Sequence, residues 1–303
     1  MRFLGLNCGV QSPDAKTIWL FREQFVQATV TDKLFSLLDA RLKDSGYLAQ
    51  GGQIIDATVI AAPRQYRIDE EKALIKEGKT AEEIWPDKPA KAAQKDVSAR
   101  WTMKRGSIKR SEAGAAIAPP PAQIPPAQIM VPMFGYKNHA GNDRTFRFVR
   151  KWTVTHAARH DSCAFEGVLD PANIARSVWA DTAYRSAKNE RAVRRAKLKS
   201  MIHFRKTKGK SMPAPHRRAN AARSKVRSAV EHAFAVQKYR MALFIRTIGI
   251  EREKIKIGMA NLAYTSNASS GMNGEVSPAD ANRTLKRPKW HENQIKSPQK
   301  SVK

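Results

Sequence analysis

The sequence predicts an α/β fold: a mixed β-sheet with helices on its faces, preceded by a small helical segment. Two observations carry this. Short apolar runs of strand character stand at residues 53–60, 134–139, 146–155, 177–181 and 201–204. The later ones alternate with helix-prone stretches at 187–198 and about 220–241. Three strands in a row, followed by strand–helix alternation, build a mixed sheet covered by helices. With 42% hydrophobic residues, the 303-residue chain can bury a real core, which excludes global disorder.

In order along the chain, residues 13–45 read as two helices. Ser12-Pro13-Asp14 is a start signal, and Ile18, Phe21, Phe25 and Val26 follow at helical spacing. Thr31 is the expected cap of the second helix, which carries Leu34, Leu37, Leu38 and Leu42 and stops at Ser45-Gly46. The run from Gln53 to Ile60 is β-branched and nearly continuous, as in a strand buried on both faces. Residues 64–133 break the pattern. Charged, helix-prone sequence runs from 69 to 91, and an Ala/Pro/Gln tract with Pro119-Pro120-Pro121 and Pro125-Pro126 reads as an extended surface linker. Two strands follow, with Asn142-Asp143 as the turn between them. Residues 157–169 read as loop and short helix, and a last helix lies within 245–263. From Thr265 the chain is polar, basic and aperiodic, so disorder is expected. The resulting division is a helical segment at 1–50, a core at 51–264 with its insertion at about 64–133, and a basic tail at 265–303.

Charge narrows the partners. The chain holds 55 Lys+Arg against 27 Asp+Glu, a formal charge of +28. Such a chain is attracted to polyanions, with nucleic acid the first candidate and an anionic membrane surface the second. A basic binding protein without chemistry is the plain alternative. Two isolated cysteines, Cys8 and Cys163, give neither a disulfide framework nor zinc spacing and fit a reducing cytosol. No apolar run approaches a membrane span, and the first eight residues are too short for a signal peptide's apolar region. A soluble, cytoplasmic location is expected.

Three acids stand out by position. Asp56 lies inside an apolar strand and Asp181 at the end of another, where a carboxylate is disfavoured unless it is paired or binds a metal. For one such Asp alone, a strand-end cap or a satisfied hydrogen bond is the better account. Glu231 lies on a helix where Arg227, Glu231 and Lys238 fall within roughly 40° of one another at about 100° per residue, with Ser224 close by. Val226, Val230 and Phe234 form the adjacent stripe that should pack on the sheet. A surface pair between Arg227 and Glu231 is the ordinary alternative. The setting argues against it: from Thr182 to Val230 there are sixteen Lys or Arg and one acid, Glu190. Enzymes that cut polynucleotides combine basic residues for phosphates with a few carboxylates for two hard cations.

These residues resemble the DDE transposases of bacterial insertion sequences, in the IS-five family. The matching stretches are residues 53–58, Ala99-Arg100-Trp101-Thr102, Phe134-Gly135-Tyr136-Lys137-Asn138-His139, 155–161, 178–186 and 227–234. The resemblance implies a ribonuclease-H-like fold, with Asp56, Asp181 and Glu231 as the DDE acids that ligate two divalent ions, Mg2+ or Mn2+ in its place. It implies that Arg227 and Lys238 hold phosphates or bases at the transposon end. Ser224 stands where the family has Tyr. It also implies cleavage of double-stranded DNA at the element's ends, strand transfer into target DNA, and a homodimer on DNA. The family has a helical DNA-binding region ahead of the segment that begins here at Met1, which implies a truncated copy.

Smaller signals carry less. Tyr184 and Arg185 follow Asp181 and are candidate DNA contacts, although Tyr184 could equally pack under the sheet. His160-Asp161 stands near the third strand's end, where capping the next helix is the more ordinary role. Trp19, Trp101 and Trp152 read as core. Competing functions are a metal-dependent nuclease that does not join, and an inactive remnant that only binds DNA.

Overall fold

The computed structural model describes residues 13–107 and 128–273. The Pro-rich tract from 108 to 127 and the tail beyond 273 lie outside these residues. Within them, a six-stranded mixed sheet is flanked by helices, as the sequence predicts and in accord with the ribonuclease-H-like fold that the resemblance implies. Its strands are β1 (Gln53–Ala61), β2 (Arg100–Ser107), β3 (Gln128–Asp143), β4 (Val149–His156), β5 (Ser177–Trp179) and β6 (Lys199–Ser200). The order is β2-β3-β1-β5-β6, with β4 also on β3. β1, β3 and β4 are antiparallel, while β5 runs parallel to β1 and β6 parallel to β5.

Alternation along β1 sends successive side chains into two cores. Ile54 packs with Trp179, Val230, Phe234, Phe35 and Tyr264. Ile55 packs with Val178, Tyr184, Val193, Ile202 and Phe165. The first core is closed by α2 (Val30–Asp44), α7 (Ala214–Ala235) and α8 (Ile250–Asn273), and the second by α6 (Ala187–Arg195) and the turns around it. The stripe of Val226, Val230 and Phe234 on α7 does pack on the sheet. Arg150 of β4 ties the first helices to the sheet, bonding Asp143 at 3.1 Å, Asp39 of α2 at 2.9 Å and the Tyr47 carbonyl at 2.7 Å.

Several elements differ from the sequence expectation. Between α1 (Ala15–Ala28) and α2 the cap is Thr29, in the left-handed conformation, and Thr31 is buried inside α2. The charged stretch from 69 to 91 folds as α3 (Asp69–Glu77), α4 (Ala81–Ile84) and α5 (Pro89–Gln94), broken where Gly78 caps α3. β2 was not expected; its polar sequence lacks alternation, and pairing with β3 decides its state. β3 runs through Gly135, Gly141 and Asn142-Asp143, residues that read as breakers. Gly135 is needed there: a Cβ would collide with the Ile60 carbonyl. The turn is at 144–146, and Asp143 closes it by accepting from the amides of Phe146 at 2.7 Å and Phe148 at 3.2 Å.

β6 is only two residues long, but its ladder continues, since Met201 N donates to Val178 O at 2.8 Å and His203 N to Ala180 O at 3.1 Å. α8 extends to Asn273 instead of giving way to disorder at Thr265. Thr265 is buried and accepts from Val149 N at 3.2 Å, so tertiary packing overrides a polar sequence. Trp19 and Trp101 are exposed, and Trp152 alone of the three packs against the core.

Candidate active site

Parallel pairing brings the first two acids to one level. β1 and β5 pair at Gln53 with Val178 and at Ile54 with Trp179. Asp56 and Asp181 each lie two residues past the last pair. There β5 has ended, and Asp181 caps a 3-10 turn, Thr182–Tyr184, accepting from Ala183 N at 2.8 Å. Asp56 accepts from Ala57 N at 2.9 Å through one oxygen and from Arg227 Nη1 of α7 at 3.0 Å through the other.

Burial dominates the electrostatics of Asp56. It pushes the carboxyl up to about 6, against the pull of the Arg227 charge and the Ala57 amide, and Asp181 and Asp161 push the same way. One guanidinium therefore does not fully compensate this carboxylate. Other buried polar atoms nearby also lack hydrogen-bond partners among the described residues: Tyr184 Oη, His203 Nε2 and Arg227 Nε. Asp181 and Arg227 both act on His203, and Asp56, Asp161 and Asp181 all act on Tyr184. Hard carboxylate oxygens with uncompensated negative charge fit a divalent cation.

Glu231 does not join them. Its side chain is 65% exposed and stands 3.9 Å from Arg227 Nη2, while Asp56 and Arg227 are 16% and 21% exposed. The guanidinium of Arg227 thus spans the first and third acids. No cluster of three His, Cys, Asp or Glu side chains suited to a metal occurs among the described residues.

The other candidates separate as well. Ser224 is exposed on α7. Lys238 lies in a π-helical segment, Val236–Arg240, so the 100° spacing that aligned it with Glu231 does not hold there. Burial and Lys104 of β2 depress its ammonium to about 8. The segment is pinned through Gln237, whose Nε2 donates to Asn261 Oδ1 at 2.8 Å, while Asn138 Nδ2 donates to the same oxygen at 2.9 Å.

Two candidate DNA contacts face the protein, and for Tyr184 this is the alternative role that the sequence left open. Tyr184 is fully buried under the sheet against Phe165, with ring centroids 5.8 Å apart, so its ring cannot meet DNA. Arg185 is spent inside the protein, donating to His203 O at 2.8 Å and Ile202 O at 3.0 Å and stacking on Phe204. Conversely, Asp161 and Lys137 were missed as a pair. They meet at 2.8 Å, and Asp161 acts on Asp56. A carboxylate closing a family-like stretch beside a strand end was the only signal.

Comparison with known proteins then adds two findings. Residues 133–266 match a family model described as Transposase DDE domain. That span includes Asp181 and Glu231 and begins after Asp56. The chain is also similar to the transposase for insertion sequence element IS1106 from Neisseria meningitidis serogroup B, 23% identical over 228 residues, which cover 73% of this chain and 67% of the relative. No solved structure matches.

Proposed function

We propose that this chain is a DDE transposase of insertion sequences, which its similarity to the Transposase DDE domain model and to the IS1106 transposase supports, and that it cleaves DNA at the element's ends and joins the freed strand to target DNA. The observation that carries this reading is the pair Asp56 and Asp181, level with each other two residues past the last pair of the parallel strands β1 and β5, with Asp56 under-compensated by Arg227. Asp56 and Asp181 are the two acids that hold divalent cations, Mg2+ or Mn2+, and Glu231 is the third, swinging in from its exposed position when DNA binds. Bound cations would activate the attacking oxygen and stabilise the leaving one.

The chain's own residues supply position and charge. Arg227 offsets part of the Asp56 charge until a cation arrives, and is then free for a DNA phosphate. Lys238 and Ser224 bind the DNA flanking the site, and the net charge of +28 draws the duplex in. Two ends must be held together for joining, so the DNA-bound form is a homodimer. No helix among the described residues is long and apolar enough to cross a membrane, consistent with work on DNA in the cytoplasm.

The exposure of Glu231 favours one second reading, a remnant that binds DNA without reaction. The test is Mg2+-dependent cleavage and joining of labelled DNA carrying the element's ends, with Asp181→Ala beside the wild type. Joined products that vanish in the variant are expected. Cleavage without joining would mean a nuclease, and binding without any product would mean the remnant.

A further inference from the structure

The turn that carries Asp161 is fastened to the turn that carries Asp181. Buried Asn189 of α6 donates from Nδ2 to Ser162 O at 3.2 Å and to Tyr184 O at 2.8 Å. His160 caps the first turn, Asp161–Cys163, by accepting from Ser162 N at 3.3 Å, much as Asp181 caps the second. Asp161 therefore holds a fixed place relative to Asp181. Among the described residues it pairs with Lys137 of β3 at 2.8 Å, and Lys137 Nζ also donates to Arg159 O at 2.7 Å. Tyr184 Oη is buried and without a hydrogen-bond partner among the described residues, and the charges of Asp56, Asp161 and Asp181 all act on it. A buried hydroxyl without a partner, at the end of the turn that Asn189 ties to the turn of Asp161, calls for a polar partner besides protein atoms.

We propose that Asp161 is a further acid of the cation site, contacting through water a cation held by Asp56 and Asp181, with Lys137 as its counter-ion when no cation is bound. The inference rests on the assignment of Asp56 and Asp181 as cation-holding residues. Contact through water agrees with the lack of a three-acid cluster among the described residues, and a small hard cation keeps several waters. Asp161 is thus a positioning residue for the cation's hydration shell.

The test is Mn2+ binding to the full chain without DNA, read from the electron paramagnetic resonance of free Mn2+. Asp161→Asn should weaken binding roughly tenfold, the scale of outer-shell partners at metal sites. Lys137→Met should tighten it, because it leaves the Asp161 charge uncompensated. If Asp161 serves only to anchor Lys137, both variants will bind as the wild type does, or both will bind more weakly, and the proposal falls. Should Asp161→Asn not fold, the sign of the Lys137→Met shift decides alone. Wild-type binding that survives Asp56→Asn would overturn the parent assignment, and this inference with it.

Discussion

The sheet edge and helix α7 present their acids in opposite ways. At the sheet edge, Asp56 and Asp181 are fixed by pairing and capping bonds before any ligand arrives. On α7, Glu231 is exposed, and among the described residues its ion pair, with Arg227, is at 3.9 Å. One region is preorganised with a carboxylate that burial disfavours, and the other exposes its carboxylate to solvent. The difference fits the proposal that cation binding belongs to the sheet edge and that the helix completes the reaction geometry only with DNA in place.

The largest expected effect is on joining. Asp56→Ala, Asp181→Ala and Glu231→Gln should each lower it by about a thousandfold, the scale of electrostatic groups aimed at a reacting centre. Mn2+ binding without DNA should separate them: it is lost in the first two and kept in Glu231→Gln. Equal loss in all three would break the comparison.

Next in size is Arg227→Ala, which leaves Asp56 buried without its partner. Urea unfolding in EDTA should report a loss of about 3 kcal/mol, much of it recovered with Mg2+. In Glu231→Gln the stability should change by less than about 0.5 kcal/mol, as for an exposed pair.

Asp56 also predicts a pH dependence. Its folded value of about 6 lies above the ordinary 3.8. Below about pH 4 both folded and unfolded chains hold the proton, so the group costs nothing. As pH rises through 6, the folded state loses stability, and the loss levels off above. Between pH 5 and 8, without metal, the wild type should lose roughly 1.5 kcal/mol more than Asp56→Asn does. The smallest effect concerns Lys238→Ala, which should reduce the salt slope of DNA binding by about 1 if Lys238 contacts one phosphate.

Much of this arrangement was legible in the sequence. Asp56 and Asp181 stood out because a carboxylate in an apolar strand needs a reason, and the β-branched run around Asp56 fixed its strand. The place of Glu231 on a helix followed from the stripe of Val226, Val230 and Phe234. Other features were not legible, because they arise from long-range pairing. Lys137 and Asp161 lie on different elements that no periodicity connects. β2 and the full length of β3 exist through their mutual ladder, against local breaker signals. The π segment at Val236–Arg240 depends on Gln237 meeting Asn138 and Asn261, and it undid the angular alignment expected for Lys238. The inward bonds of Arg185 likewise depend on the segment beyond β6 that brings the Ile202 and His203 carbonyls to it.

The central claim is that a cation sits between Asp56 and Asp181. Replacing Mg2+ with Fe2+ and triggering local hydroxyl-radical cleavage of the protein backbone tests it most directly. Cuts clustered near residues 56 and 181, suppressed by excess Mg2+, are the predicted result. Cuts elsewhere that Mg2+ suppresses, or none at concentrations where the protein joins DNA, would contradict it.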